Sequence, residues 1–212
     1  MSAYLIFDFD GTLADSRRLS MQLFNSIADK YRFRKIQEED IPELQALSAM
    51  EKMRWLKVSI WQLPKIAIDL MQRYKDAISL LQPYAGIAEM LRMLQAEGFR
   101  MSIISSNQSE NIQLFLQQQG WTMFDHVIGS NQLFGKHKSI TGFLKKQSMK
   151  PSDVLYIGDE IRDIEACRKA GCDVYSVTWG FDSAALLSKG KPNRIIDTTD
   201  QLMDAIRTWT KR

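Results

Sequence analysis

Asp8 and Asp10 stand at the end of an apolar run, in Tyr4-Leu5-Ile6-Phe7-Asp8-Phe9-Asp10-Gly11-Thr12-Leu13. Alternation along a strand starts both carboxylates on one side, and a bend at the strand's end can converge them differently. Two like charges this close repel, so both stay ionised only where a cation or a basic partner offsets them. Acids at the tip of a hydrophobic strand are costly without such a role. Gly11 lets the backbone turn sharply and approach a ligand. The plain alternative is a strand end capped by two solvated carboxylates. A second run of the same design is Leu155-Tyr156-Ile157-Gly158-Asp159-Glu160-Ile161-Arg162-Asp163, an apolar strand delivering acids at its carboxyl end. Between the two, Ile103-Ile104-Ser105-Ser106-Asn107 ends a strand in hydroxyls, and Lys136 stands in Phe134-Gly135-Lys136.

These residues need a frame that gathers them. Strand-like runs are Tyr4–Phe9, Met101–Ser105, His126–Gly129, Val154–Ile157 and Val174–Trp179, with Arg194–Asp197 a short sixth. Helical spacing lies between them, as at Ile87, Met90, Leu91 and Leu94 before Gly98, and at Ile112, Phe115 and Leu116 before Gly120. Strand and helix in turn predict a parallel sheet covered on both faces, with its ligand at the carboxyl ends of the strands. Every acid, hydroxyl and lysine named above falls at such an end or in the loop after it. That agreement points to one shared site.

In order and spacing, the four segments resemble the signature motifs of the haloacid dehalogenase (HAD) superfamily of phosphatases. The resemblance runs from Asp8 to the carboxyl terminus. Asp8-Phe9-Asp10-Gly11-Thr12-Leu13 is its most specific part, and Gly158-Asp159 with Asp163 is its companion. It implies a Rossmann-like three-layer α/β core and a Mg²⁺-dependent phosphatase working through an aspartyl-phosphate. Asp8 would be the nucleophile and Asp10 the general acid/base. Asp8 and Asp159 would hold Mg²⁺ through side chains and Asp10 through its carbonyl, with Asp163 around that shell. Ser106, with Ser105 as rival, would donate to the phosphoryl group, and Gly11, Thr12 and Asn107 would lie against the substrate. Lys136, with Lys138 as rival, would neutralise phosphate oxygens. The sequence departs here from the family's lysine-proline-x-proline form. Glu160 reads as a rim residue, with an outer place around the ion as the alternative. On the same scaffold, a mutase of the β-phosphoglucomutase type or a non-catalytic regulator are the competing readings.

One segment breaks the alternation. Residues 16–82 are helical throughout, so the chain divides into a core of 1–15 and 83–212 and a helical cap after the first strand. Such a cap resembles that of the HAD subclass holding phosphoglycolate phosphatase. It carries 12 Lys+Arg against 8 Asp+Glu, and the remainder 16 against 17. A basic lid over an acidic core would suit an anionic organic phosphate, whereas the bland reading has these charges solvating exposed helix faces. Met50, Met53, Arg54 and Lys57 lie where a cap could reach a substrate.

Composition bounds the rest. With 212 residues, 45% of them hydrophobic, the chain can bury a real core, and no stretch approaches a membrane span. A net charge of +3 is too mild to argue for nucleic-acid binding. Cys167 and Cys172 read as reduced core residues. Met1-Ser2-Ala3-Tyr4 leads straight into the first strand with no room for a signal peptide, which predicts a cytoplasmic protein. The expected partner is a small phosphorylated metabolite, with no nucleic acid and no membrane, and the expected state a monomer or weak homodimer.

Overall fold

The structure, a computed structural model, describes residues 4–130 and 135–209; Met1–Ala3, the segment 131–134 with Phe134, and 210–212 lie outside the described residues. Six strands form one parallel sheet: β1 (Tyr4–Phe7), β2 (Arg100–Ser105), β3 (Phe124–Gly129), β4 (Val154–Gly158), β5 (Asp173–Val177) and β6 (Arg194–Ile196), in the order β3-β2-β1-β4-β5-β6. This is a doubly wound arrangement, and the strand order reverses beside β1 and β4. Phe7 pairs with Ile103 on one side and Ile157 on the other, so the acidic tip of β1 is level with the ends of β2 and β4.

Alternation sorts the sheet into two buried faces. Leu5, Phe7, Leu155 and Ile157 pack under α5 (Ile87–Ala96), α6 (Ser109–Gln119) and α10 (Thr199–Trp209). Tyr4, Ile6, Val154 and Tyr156 pack under α7 (Lys136–Lys146), α8 (Ile161–Ala170) and α9 (Ala184–Gly190). Each fully buried large apolar side chain contributes about 1.5–3 kcal/mol, which is why three layers form rather than a bare sheet. Cys167 and Cys172 are free and buried in the second face. The parity has a consequence for chemistry. Asp8 follows Tyr4 and Ile6, so its side chain goes to the side covered by α7 and α8.

Between β1 and α5 the chain is helical: α1 (Arg17–Tyr31), α2 (Ile41–Gln45), α3 (Ala49–Trp55) and α4 (Leu63–Ala77), with short 3-10 turns. Ile27, Ala28, Phe33 and Ile66 form a small core of their own between α1 and α4. The two crossings run side by side, with Asp15 N donating to Gln82 O at 2.9 Å and Tyr84 N to Leu13 O at 3.1 Å. The cap is tied to the loop after β5 by Lys52 Nζ on Asp182 (2.6 Å) and by Gln45 Nε2 on Gly180 O (3.1 Å). Among the described residues no helix is long and apolar enough to cross a membrane.

Two strands end two residues short of expectation, and the other boundaries shift by two at most. β1 stops at Phe7 rather than Phe9, because the Phe9 carbonyl turns to accept Leu13 N (2.9 Å) and Ala14 N (3.0 Å). β5 stops at Val177 rather than Trp179, and the following residues form the turn that brings Phe181 to Asp159.

Candidate active site

The turn at 9–14 separates the two acids of the first motif. Asp8 stays under the sheet's edge, 2% exposed, where its Oδ1 accepts Phe9 N at 2.7 Å and its Oδ2 receives Lys136 Nζ at 2.6 Å. Asp10 turns toward the cap: Tyr74 of α4 donates its phenol to Oδ1, and Asn107 Nδ2 donates to Oδ2 at 2.7 Å. Burial pushes the Asp10 carboxyl up, against the bonds from Tyr74 and Asn107, and the Asp8 charge adds to the rise.

Lys136 is the first residue of α7 and is buried, with its ammonium between Asp8 and Asp163. Burial alone would lower an ammonium pKa; the Asp163 and Asp8 carboxylates outweigh it and hold the group above its ordinary value. Lys138 is exposed. Asp163 belongs to the first turn of α8, where it accepts Glu160 N at 3.2 Å as a capping group. Burial raises it to about 6, with Lys136 pulling down and the Asp8 charge pushing up.

Asp159 is fully buried, and Thr12 and Gly11 lie against it. Its Oδ1 accepts Thr12 Oγ1 at 2.8 Å and its Oδ2 accepts Phe181 N at 2.8 Å. Gly11 has φ +76°, and a Cβ there would stand 2.1 Å from Asp159 Oδ2. Gly180 is as tight, with an added Cβ 2.4 Å from Asp159 Cβ. Both contacts are closer than any side chain allows, so the glycines shape the carboxylate's slot. Gly11 and Thr12, expected beside the substrate, are seen bracing this acid. Burial pushes Asp159 well above the usual carboxylate range, followed by the charges of Glu160, Asp8 and Asp163.

Three carboxylates converge most closely. One oxygen each from Asp8, Glu160 and Asp163 lie within 4.8 Å of one another. Glu160 is therefore nearer the centre than a rim residue. Strand parity carries the missed signal: β1 and β4 pair Ile6 with Tyr156, and Asp8 lies two positions beyond Ile6 and Glu160 four beyond Tyr156, so even spacing puts Glu160 on the Asp8 side while Asp159 is out of phase with it. Burial would raise Glu160, but Arg162, Lys52 and Lys136 outweigh it and hold the carboxyl low. Arg162 Nε donates to Glu160 Oε2 at 2.6 Å and its Nη1 reaches Ser106 Oγ at 3.3 Å.

The rival serines separate cleanly. Ser105 is buried and its Oγ accepts Asn107 N at 3.2 Å, whereas Ser106 lines a cavity of about 320 Å³ between core and cap. Asp10, Asn107, Glu160 and Arg162 share that lining. Met50, Met53, Arg54 and Lys57 do not. Tyr74 and Arg162 were not singled out from sequence as site residues; Tyr74 is 64 residues from Asp10, and local spacing carries no trace of the pairing.

The donor set suits a hard divalent cation. All the converging atoms are carboxylate oxygens, the kind of site Mg²⁺ takes with retained waters. Asp159 adds a second argument. Its contacts among the described residues are neutral donors, while the charges around it are other acids. A buried carboxylate in that position calls for a cation, and two accepted hydrogen bonds leave it lone pairs to bind one.

The sequence matches the family described as haloacid dehalogenase-like hydrolase over residues 5–177. A phosphoglycolate phosphatase of Synechococcus elongatus is 32% identical over 203 residues, covering 95% of this chain and 96% of that protein. Pyrophosphatase PpaX of Listeria welshimeri is 25% identical, covering 96% and 95%. Among solved structures, a chain described as a predicted phosphatase from Clostridium acetobutylicum has a TM-score of 0.84 at 24% identity, covering 98% of this chain and 99% of that one, and so shares the fold.

Proposed function

This chain belongs to the haloacid dehalogenase-like hydrolase family, and we propose that it is a Mg²⁺-dependent phosphatase of small organic phosphomonoesters that carries the phosphoryl group transiently on Asp8. The observation that carries the reading is the pairing of Asp8 with Lys136 at 2.6 Å, beside the carboxylates of Glu160 and Asp163 and near a cavity of about 320 Å³ lined by Asp10, Ser106 and Glu160. With Phe9 N on Oδ1 and Lys136 on Oδ2, Asp8 is held in one rotamer, as a nucleophile needs. Its attack on phosphorus would break the ester bond and leave an aspartyl-phosphate, one hard displacement becoming two easier ones.

Asp10 is the proton carrier in this reading. It would give a proton to the departing alkoxide and then take one from the water that hydrolyses the acyl phosphate. Tyr74 and Asn107 orient both of its oxygens. Ser106 would donate to the phosphoryl oxygens from the cavity wall, and Lys136 would offset their charge. Asp8 and Asp159 would hold Mg²⁺ with the Asp10 carbonyl, and Glu160 and Asp163 would complete the acidic surround. When bound, the ion screens the acids from the incoming dianion and polarises the phosphoryl group. The proposed division follows the paired crossings, with 16–82 as cap and 1–15 with 83–212 as core.

The test is phosphate release from p-nitrophenyl phosphate and simple alkyl phosphates with Mg²⁺. Asp8→Asn is expected to fold normally and lose turnover, and a rapid acid quench of the native enzyme to yield phosphate on the peptide bearing Asp8. Undiminished turnover by the Asn variant, or full activity after chelation of divalent metal, would overturn the reading.

A further inference from the structure

The cavity between core and cap has two chemically different walls. The core supplies mainly polar groups, Asp10, Ser106, Asn107, Glu160 and Arg162 among them, with Phe181 as its apolar member. The cap supplies Leu23 and Phe24 from α1 and Ala67, Leu70 and Met71 from α4, with Ser20 and the Tyr74 phenol as its polar members. Among the described residues that line it, no cation comes from the cap. Four of the cap's basic residues are paired with acids away from it: Lys30 with Asp69 (2.6 Å), Lys35 with Asp29 (2.8 Å), Arg34 with Asp40 (2.8 Å) and Lys52 with Asp182 (2.6 Å). The cap's excess of positive charge thus lies outside the lining of this cavity. Arg162, the cation in the lining, comes from the core and is bonded to Glu160 at 2.6 Å.

This asymmetry bears on what the phosphate is attached to. Phosphate chemistry belongs to the core wall, so the alcohol portion of the ester must lie against the cap wall. A carboxylated alcohol would bring a second negative charge against leucine, phenylalanine and methionine, with the neighbouring acids Asp10 and Glu160 repelling it. An alkyl or aryl group there would instead shed water from both surfaces. We propose that the preferred substrate is a phosphomonoester of an uncharged, predominantly apolar alcohol, and that Leu23, Phe24, Leu70 and Met71 set this preference. The proposal rests on the phosphatase reading and names its substrate class. Tyr74 marks the boundary between the walls, since its ring belongs to the apolar side and its hydroxyl reaches Asp10.

The experiment is a kcat/KM series with the full chain and Mg²⁺ on straight-chain alkyl phosphates of increasing length, phenyl phosphate and 2-phosphoglycolate. Each methylene buried against the cap should raise kcat/KM by about fourfold until the cavity is full. 2-Phosphoglycolate should fall at least about tenfold below the best alkyl ester, the scale of one unpaired polar group. Leu70→Arg should narrow or invert that gap. Because Leu70 also packs in the cap, Ala67→Lys, at an exposed position of the same helix, gives a second variant that leaves the cap core untouched. Flat dependence on chain length, or preference for 2-phosphoglycolate in the native enzyme, overturns the substrate class and leaves the phosphatase reading standing. No phosphate release from any ester takes both down.

Discussion

The phenol of Tyr74 donates to Asp10 Oδ1, so a residue of the cap closes on an acid of the core across 64 positions of sequence. Asn107 holds the other oxygen at 2.7 Å. Burial and the Asp10 charge keep the phenol protonated, so it stays a donor. In the proposed mechanism Asp10 hands a proton to the leaving alkoxide, which needs a fixed rotamer, and the bonds from Tyr74 and Asn107 supply one. Tyr74→Phe keeps the ring and removes the bond. Turnover of an alkyl phosphate is expected to fall by about tenfold or more, the worth of a hydrogen bond to a charged group. p-Nitrophenyl phosphate, whose leaving group needs no proton, should lose little. Equal losses on both esters would assign Tyr74 to packing alone.

Asp159 poses a sharper test of the metal site. It is fully buried among Glu160, Asp8 and Asp163, with neutral donors on its own oxygens. Without a cation that charge is a liability. Asp159→Asn should leave the metal-free protein as stable as the parent or more so, raising its melting temperature by about 2–4 °C for each kcal/mol of repulsion relieved. The same change should abolish both activity and the stabilisation that Mg²⁺ gives the parent. A variant that still gained stability from Mg²⁺ in full would move the ion to the Asp8, Glu160 and Asp163 group.

The buried acids also set a pH dependence. Burial pushes the Asp163 carboxyl up to about 6 in the folded chain against an ordinary 3.8, and raises Asp10 as well. Between those values the folded state holds more protons than the unfolded one, so stability falls as pH rises. The metal-free protein should therefore lose stability progressively from about pH 4 to pH 6, and saturating Mg²⁺, by favouring the ionised acids, should flatten or reverse that slope. Denaturant midpoints across this range, with and without the ion, are the measurement. A metal-free stability that rose through the window would contradict the sign.

How far the sequence could be read depends on the range of the interactions. The six strands followed from apolar runs that end in turn residues, since both faces of a parallel sheet are buried and the pattern is local. Asp8, Asp10, Asn107, Asp159 and Lys136 could be picked out because each sits at a strand's carboxyl end or opens the next helix. What stayed hidden depends on direction or on distance. Whether Asp159 or Glu160 faces Asp8 is fixed by β1–β4 register, which no single stretch of chain encodes. For the serines, sequence order already favoured Ser106, and the structure adds that the Ser105 hydroxyl is occupied by Asn107 N. Counting charges in 16–82 likewise says nothing about which helix face they occupy, and among the described residues none of these cations lines the cavity.

Lys136 and Lys138 were indistinguishable by residue type and differ completely in surroundings. Lys136 is buried against Asp8 and Asp163, and Lys138 is exposed two residues on. Removing one partner from a buried ion pair leaves the other uncompensated, at a cost of roughly 3–5 kcal/mol. Lys136→Met should therefore destabilise the metal-free protein by about that amount and abolish turnover. Mg²⁺ should recover part of the stability, because a cation again faces Asp8, and none of the activity, because the phosphoryl oxygens still lack their counter-charge. Lys138→Met should change stability by no more than about 0.5 kcal/mol, as surface substitutions do, with turnover retained. Urea unfolding of both variants, with and without Mg²⁺, decides the matter; a Lys138 variant as damaged as the Lys136 one would transfer the phosphate-facing role to the exposed lysine.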